Sequence, residues 1–490
     1  MKLGAALGRA SRAVVRVLET ALGGAERTRV IVLLAAVLAL SSADASTVGA
    51  SATPLRHALG ISNTDIGLLV TVTSLVAAVA SLPFGVLADR VRRTWTLGVA
   101  IVFWGGAMIW SATVPTFGQL LATRVLLGGV TAAAGPLVAS LVGDYFPAAE
   151  RGRVYGYILA GELVGAGVGF AVTGDVAALS WRAAFVLLAL PAFALAWLVF
   201  HLPEPARGGR DALVAPNETP AADQTGHDGE QVTDAQRLAR ERGVDPDPDL
   251  VVVGDPRAMG LIAATRYVLR VRTNIVLILA SAGGYYFLAG VQTFGVEFVT
   301  HQYGIDQALG TLVLLVVGAG GVVGVLSGGG LGDLLLRRGY LTGRILVSAL
   351  AATVAVVLFV PAIFTRSAVT ALPYITFAAL ALSAQNPPLD AARLDIMVPL
   401  LWGRAEGVRT FLRTLAQALA PLVFGGVSDY VFGGGRSGLQ WTFALMLLPL
   451  AASAYFLYKG LSTYPRDVAT AAASVRRPVR DDDIALVART

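Results

Sequence analysis

The sequence contains no cysteine, and it has few charged residues and few histidines for its length. The absence of cysteine among 490 residues excludes disulfide bonds, thiolate catalysis and cysteine-based zinc sites. Charged residues make up only 14% of the chain, whereas about 25% is usual for soluble domains. The histidines are scattered without the spacing of metal ligands, so neither a metal site nor another cofactor is predicted. They are His57, His201, His227 and His301.

Apolar residues are abundant instead, at 55% of the chain, and 55 residues are glycine. Runs such as "VIVLLAAVLAL" and "FALMLLPLAASAYFLY" belong to segments that can cross about 30 Å of hydrocarbon at a helical rise of about 1.5 Å per residue. The net charge of +6 comes from basic residues beside apolar segments, without interleaved aromatic residues. The expected partner is therefore a lipid bilayer and not nucleic acid, and the fold class is an all-α integral membrane protein.

Apolar runs bounded by charged residues, proline or glycine predict twelve transmembrane helices. The predicted spans are 30–52, 66–87, 95–113, 118–142, 154–174, 183–202, 274–299, 308–331, 344–365, 370–398, 408–430 and 439–460. Two glycine-rich stretches, "GAGVGFAVTG" and "GAGGVVGVLSGGG", lack a Walker lysine. They are interpreted as surfaces for close helix packing and not as nucleotide-binding loops.

The polar stretch after the sixth span divides the chain into two halves. We predict a cytoplasmic amphipathic N-terminus at 1–29, six-helix bundles at 30–202 and 273–460, a partly disordered cytoplasmic linker with a juxtamembrane helix at 203–272, and a cytoplasmic tail at 461–490. The linker contains repeated Asp-Pro steps, which resist regular structure.

Arginines in the loops predict the orientation in the cell membrane, because cytoplasmic loops are enriched in basic residues. Ten loop arginines are assigned to the cytoplasmic side: Arg90, Arg92, Arg93, Arg151, Arg153, Arg337, Arg338, Arg344, Arg404 and Arg409. Four are assigned to the opposite side: Arg56, Arg182, Arg366 and Arg436. Both termini and the linker are then expected in the cytoplasm.

A short motif occurs once in each half. "GVLADRVRR", between spans two and three, is echoed by "GGLGDLLLRR" between spans eight and nine, so that Gly85 and Asp89 have the same spacing as Gly329 and Asp333. Such internal symmetry is typical of transporter folds.

At this motif the chain resembles the major facilitator superfamily, whose loop signature here includes Gly85, Leu87, Asp89, Arg90 and Arg93. Further matches are "RVLLGG" in span four, "FPAAERGRVYGY" before span five and "SWRAAFVLLALPA" at span six. The resemblance implies two pseudo-symmetric six-helix bundles around a central cavity. It also implies that the loop motif is a cytoplasmic gate between the halves, formed by Gly85, Asp89, Arg90, Arg93, Gly329, Asp333 and Arg337.

Asp89 can accept hydrogen bonds from a facing helix N-terminus or from an arginine. The alternative interpretation is a solvated basic turn. That alternative explains the arginines but not the combination of Asp89 with Gly85.

The segment 398–429, together with Asp44 and Arg124, is similar to the spinster-like branch of the superfamily. Asp44 lies about 21 Å from one membrane edge and Arg124 about 9 Å from the other, so both are expected at one level. We predict that Asp44 carries a proton and that Arg124 is its charge partner, with a static buried ion pair as the alternative. Spinster relatives usually have an acidic residue where Thr131 stands, and Glu162 is the candidate substitute, although it can also simply pair with a neighbouring helix.

In the second half, Pro387 and Pro388 interrupt span ten beside charged residues, which indicates a site or a hinge. Asp390 and Arg393 are one turn apart and can also simply satisfy each other. The predicted second-half cavity residues are Tyr285, Tyr286, Gln292, Glu297, Asn386, Asp390 and Arg393.

The first functional hypothesis is a monomeric secondary active transporter that works by alternating access. The spinster resemblance implies an amphiphilic or lipid-like substrate such as a lysophospholipid, and proton coupling. Efflux of hydrophobic compounds is the second hypothesis, and a non-transporting membrane sensor or assembly protein is the third. An enzyme is the least favoured class, because no nucleophile, base and orienting group recur at catalytic spacing.

Overall fold

The structure is a computed structural model that describes residues 22–61, 63–207, 233–252, 255–256, 259–305, 307–433 and 435–475. All regular secondary structure in these ranges is helical. Spans one to six are Ala25–Ala50, Asn63–Arg90, Arg93–Thr113, Phe117–Thr131 with Ala134–Tyr145, Arg151–Leu179, and Trp181–Phe200. Spans seven to twelve are Arg272–Tyr303, Gln307–Arg337, Gly343–Phe364, Ala368–Ala384 with Asn386–Asp395, Trp402–Gly426, and Gly435–Val475.

The predicted all-α, twelve-helix fold is confirmed. In the described part of the chain, nine of these segments are long and apolar enough to cross a membrane. Spans one, five and eleven contain the buried or cavity-facing charged residues Asp44, Glu162 and Glu406.

Two spans, four and ten, are interrupted near their middle. In span four the first helix ends at Thr131 and the second begins at Ala134. Span ten breaks at Gln385, and a second helix begins at Asn386 with Pro387 and Pro388 in its first turn, because these prolines supply no backbone N–H.

The prediction that span eleven starts near residue 408 is wrong: its helix begins at Trp402. Arg409 therefore belongs to a helix and not to a loop.

Small residues pack helices closely within each half, as predicted for the glycine-rich stretches. In the first half, Gly161, Gly165 and Gly169 of span five lie against Ala35, Ala39 and Ala43 of span one. In the second half, Gly320, Gly324 and Gly328 of span eight lie against Thr376, Leu380 and Ala384 of span ten. Side chains larger than hydrogen at these glycines would meet the backbone of the facing helix.

The two halves touch through spans two and eleven and through spans five and eight. The first contact brings Gly85 against Gly403, and the second brings Gly152 against Gly329. These glycines lie at the end of the molecule that carries residues 85–93, 146–153, 329–344 and 395–404, which we call the closed end.

Part of the linker packs on this end. Helix Asp234–Glu241 lies beside span twelve, and the side-chain amide of Gln236 donates to the Asp395 carbonyl at 3.2 Å. A second helix, Leu261–Arg270, precedes span seven and has an exposed apolar residue, Ile262. Of the predicted termini and linker, residues 1–21, 208–232 and 476–490 lie outside the described residues.

Candidate functional site

A cavity of about 200 Å³ lies between the two halves. Its walls come from spans one, two, four and five of the first half and spans ten and eleven of the second. Apolar residues such as Leu38, Val138 and Leu159 form part of the wall. The polar lining residues are Ser41, Ser42, Thr131, Tyr155, Glu162, Asp390, Glu406, Arg409, Thr410, Arg413 and Thr414.

A network of buried charges forms the second-half side of this cavity. Arg409 contacts Asp390 at 2.6 Å and Glu406 at 2.9 Å. Arg393 pairs with Glu406 and donates to the Tyr155 hydroxyl at 3.3 Å. All four charged side chains are at most 7% exposed. The two carboxylates therefore balance the two guanidinium groups.

A second, looser group of charges lies across the cavity. The guanidinium of Arg413 stacks over the ring of Tyr285, 4.3 Å from its centroid. Glu162 lines the same cavity, receives a hydrogen bond from Ser42 and interacts electrostatically with Arg413. The described residues give neither Glu162 nor Arg413 an ion pair within 4.0 Å.

Asp44 and Arg124 meet, as expected, with a distance of 3.3 Å between Oδ1 and Nη1. They lie inside the first half, where Arg124 also donates to Ser111 at 2.8 Å and lies over the ring of Phe185. Neither charged residue is among the described residues that line the central cavity. The geometry agrees with the static ion pair, and the proton-carrier role of Asp44 stays a prediction.

The remaining predicted residues fall in different places. Thr131 lines the cavity and donates to the Leu127 carbonyl at 2.8 Å. The hydroxyl of Tyr286 lies 3.5 Å from the sulfur of Met446, so this ring packs inside the second half. Gln292 is exposed, Asn386 starts the second helix of span ten, and Glu297 lies on span seven with its side chain outside the described part.

At the closed end, Asp89 has both kinds of partner that its sequence context suggested. Its carboxylate accepts the backbone N–H groups of Gly403 at 2.8 Å and Arg404 at 3.1 Å, at the start of span eleven. The Arg404 side chain lies 3.2 Å from the same carboxylate. The absence of a side chain at Gly85 allows this approach, because a Cβ there would lie 2.7 Å from the Gly403 carbonyl oxygen.

The second half repeats this contact. Asp333 accepts the backbone N–H groups of Gly152 at 3.2 Å and Arg153 at 2.8 Å, at the start of span five. Arg344 contacts Asp333 at 2.7 Å and also pairs with Asp395. We call the two carboxylates with their facing N–H groups the paired latches.

The other arginines of the motif have different partners. Arg93 pairs with Asp144 and with Glu204, which lies 2.8 Å away, so it ties together elements of the first half. Arg90 donates to the Met259 carbonyl of the linker at 3.3 Å. Arg337 lies 3.9 Å from Glu150 and so reaches across to the first half.

Sequence reasoning missed Tyr155, Glu406, Arg409 and Arg413 as cavity residues. The spacing of Glu406, Arg409 and Arg413 at three and four residues, on one helix face, is the signal that could have found them. Among the described residues, no group of three His, Asp or Glu side chains has the arrangement of a metal site.

Comparison with known proteins gives consistent matches. A family model described as Major Facilitator Superfamily matches residues 34–421. Over 178 residues the chain is 29% identical to the probable L-galactonate transporter of Escherichia coli K12, a match that covers 36% of this chain and 39% of that protein. Over 194 residues it is 29% identical to protein spinster homolog 1 of Rattus norvegicus, with 39% and 37% covered.

Among solved structures, the proton:xylose symporter XylE aligns with a TM-score of 0.64 at 14% identity, over 88% of this chain and 95% of that one. At this identity the likeness concerns the fold alone. The chain spans less than half the length of the two curated relatives that it matches.

Proposed function

Since the chain belongs to the major facilitator superfamily, we propose that it is a secondary active transporter that moves a small amphiphilic molecule across the cell membrane by alternating access. The resemblance to spinster-like proteins is confirmed by the rat spinster homologue. The Escherichia coli relative is named as a probable transporter and the structural neighbour as a symporter.

The observation that carries the proposal is the central cavity, which lies between two bundles joined at one end by the paired latches. Each latch is a carboxylate of one half that binds the start of a helix of the other half. Breaking both latches would let the halves separate at the closed end and expose the cavity there. Ion or solute gradients would drive the cycle.

The cavity lining supports an amphiphilic substrate. Leu38, Val138 and Leu159 offer apolar contact, and the charged network offers hydrogen bonds to a polar head. A sugar acid is one candidate because a relative is named for L-galactonate, and a lysophospholipid is the candidate from the spinster likeness. Proton coupling fits a cavity that holds several buried carboxylates.

The two alternatives make different predictions. Efflux of hydrophobic compounds predicts transport of uncharged aromatic compounds and dyes, and it does not require the charged residues of the cavity. A membrane sensor or assembly protein predicts no flux at all.

Flux in proteoliposomes with an imposed pH gradient tests the proposal. Labelled galactonate, lysophosphatidylcholine and a hydrophobic dye are offered, with protein-free liposomes as the blank. We expect protein-dependent movement of at least one of the first two and its loss in Asp89→Asn/Asp333→Asn. Absence of flux for all three compounds contradicts a transport function.

A further inference from the structure

We propose that Arg413 and Tyr285 bind the anionic group of the substrate, and that Glu162 takes up a proton when this anion binds. The inference rests on the proposed transport function and adds the chemical class of the substrate, an organic anion. It also moves the proton-carrying role from Asp44 to a carboxylate that lines the cavity.

Arg413 has the unused capacity that an anion site requires. Its guanidinium carbon lies over the Tyr285 ring, 4.3 Å from the ring centroid, in a cation–π contact. Its Nε is buried and has no hydrogen-bond partner within the described residues. A carboxylate or phosphate in the cavity would accept hydrogen bonds from such a planar donor in a bidentate manner.

The other guanidinium groups at the cavity are already occupied. Arg409 contacts Asp390, Glu406 and the Ser281 hydroxyl. Arg393 pairs with Glu406. Binding an anion at either of them would require a buried carboxylate to give up its partner, whereas Arg413 loses only its longer-range attraction to Glu162.

Charge balance links the anion to a proton. The cavity and its network contain Arg393, Arg409 and Arg413 against Asp390, Glu406 and Glu162, so the empty site is neutral when all six are ionised. An added monoanion would leave one uncompensated negative charge in a medium of low dielectric constant. Protonation of one carboxylate restores neutrality.

Glu162 is the carboxylate that can accept this proton at the least cost. Asp390 has Arg409 at 2.6 Å, and Glu406 has Arg409 at 2.9 Å as well as Arg393. The groups that act on Glu162 include the Ser42 hydroxyl of span one, Tyr285 of span seven, Asp390 of span ten, and Arg409 and Arg413 of span eleven. When the anion pairs with the Arg413 guanidinium, Glu162 keeps no strong counter-charge and binds the proton. One anion and one proton then bind together, and the proton comes from a hydronium ion of the solution, whose O–H bond breaks as the O–H bond on Glu162 forms.

Binding to the purified full-length protein tests this with three pairs of probes that differ in charge. The anions are D-galacturonate, 4-hydroxybenzoate and oleoyl lysophosphatidate, and their uncharged partners are D-galactose, 4-hydroxybenzyl alcohol and monooleoylglycerol. Affinity is measured by calorimetry between pH 5.5 and pH 8. We expect at least one anion to bind better than its uncharged partner. Its affinity should fall by up to about tenfold for each unit by which the pH rises.

Three variants separate the roles. Arg413→Gln should lower the affinity for that anion at least about tenfold at every pH, and Arg413→Lys should recover part of this affinity. Glu162→Gln, which mimics the protonated acid, should bind the anion at pH 8 as tightly as the wild type does at pH 5.5, a gain that misfolding cannot produce. Arg366→Gln, which removes an exposed arginine, is the control.

The proposal is overturned by equal binding of every anion and its uncharged partner, by no anion binding at pH 5.5, or by unchanged anion affinity in Arg413→Gln. It is equally overturned if Glu162→Gln keeps the wild-type pH dependence. If an uncharged probe is carried in liposomes while any of these results holds, the transport function stands and only the anion site falls.

Discussion

At the scale of single residues, the charges at the cavity and inside the first half include tight pairs and one loose pair. Asp44 and Arg124 form a tight pair enclosed by one half, and the Asp390–Arg409 contact is tight as well. Glu162 and Arg413 face the same cavity without a contact within 4.0 Å. Tight pairs resist a change of protonation because each ion keeps its partner, so the loose pair is the part that can respond to pH.

The first prediction concerns the Asp44–Arg124 pair. Removing one member leaves a buried charge unpaired, so Asp44→Asn and Arg124→Gln should each lower the free energy of unfolding by about 3–5 kcal/mol. The double variant should lose less than the sum of the two. Thermal unfolding in detergent measures this.

Transport distinguishes a structural pair from a proton carrier. We expect the folded fraction of Asp44→Asn to keep the pH dependence of wild-type flux. A flux that no longer depends on pH in this variant would assign the proton to Asp44 after all.

The second prediction concerns Glu204, which lies outside the spans and caps span three. It accepts the backbone N–H of Thr94 at 2.9 Å and of Arg93 at 3.1 Å. Burial alone would raise the pKa of this carboxyl, but the hydrogen bonds and charge of Thr94 and Arg93 outweigh burial and hold the pKa below its usual range. Its contribution to stability is therefore complete above about pH 4.3, its unfolded pKa, and disappears as the pH falls through the lower folded pKa.

Glu204→Gln should accordingly reduce the melting temperature at pH 7 by roughly 2 °C, as loss of a helix cap does. The difference from the wild type should shrink below pH 4. Melting curves across this range measure it, with Glu241→Gln, an exposed acid on the linker helix, as the control. A difference that stays constant or grows at low pH would contradict the assignment.

The partners of Asp89 follow from its sequence context because a carboxylate beside glycine, in a repeated motif, has few partners other than a helix N-terminus or an arginine. Arg413 was missed, although its spacing from Glu406 and Arg409 places all three on one helix face. The position of its side chain depends on the start of span eleven at Trp402, which a polar first turn concealed.

At the scale of helices, close approach between backbones holds the halves together at the closed end. Gly85 of span two packs on Gly403 of span eleven, whereas Gly106 of span three has nothing within 4 Å of the position of a Cβ. The two positions are thus a matched pair of span glycines, one at the contact between halves and one in open space.

Gly85→Leu should therefore push spans two and eleven apart and reduce the initial rate of transport at least about tenfold, since overpacking costs about 1–3 kcal/mol in a contact made in only one conformation. Gly106→Leu should transport at the wild-type rate. Initial uptake per reconstituted protein is the measurement. Equal rates for both variants would show that the Gly85 contact is not used in the cycle.

Most helices were predictable because their apolar runs are long and their ends are marked by charge or proline. The break in span ten followed from Pro387 and Pro388 for the same reason. The interruption between Thr131 and Ala134 in span four was not predictable, because it falls inside an apolar stretch without consecutive prolines. The continuation of the last helix to Val475 was missed because the amphipathic turns after residue 460 do not resemble a membrane span.

At the scale of the whole molecule, the two halves repeat one device. Asp89 of the first half binds the start of span eleven, and Asp333 of the second half binds the start of span five. We expect such symmetry to give a two-state system in which both contacts form or break together.

Distance measurements between the halves test this. The chain has no cysteine, so spin labels at Arg92→Cys and Arg338→Cys, both exposed at the closed end, report on it without background. When Asp89→Asn and Asp333→Asn are added, we expect a second, longer distance between the two labels. This longer distance should be rare in the protein that carries the labels alone. Labels at Arg92→Cys and Leu179→Cys, both in the first half, should keep one distance. A single unchanged distance in every sample would contradict the role of the latches.

The overall architecture was the most predictable level, because the repeat of the Gly85–Asp89 spacing at Gly329–Asp333 already indicates two related halves. The cavity was not, because its shape depends on how far the halves lie apart at each depth of the membrane. No local pattern in either half encodes that separation.

The latches have a consequence for divergence among related proteins. Each carboxylate binds main-chain N–H groups, which every residue except proline possesses, so this part of the contact needs no polar side chain on the facing helix. We therefore expect substitution of Arg153, whose side chain pairs with Glu150, to leave its latch intact, whereas Arg404 also pairs with Asp89 through its side chain. The two aspartates and the glycines packed beside them are thus expected to be the least replaceable residues of the latches.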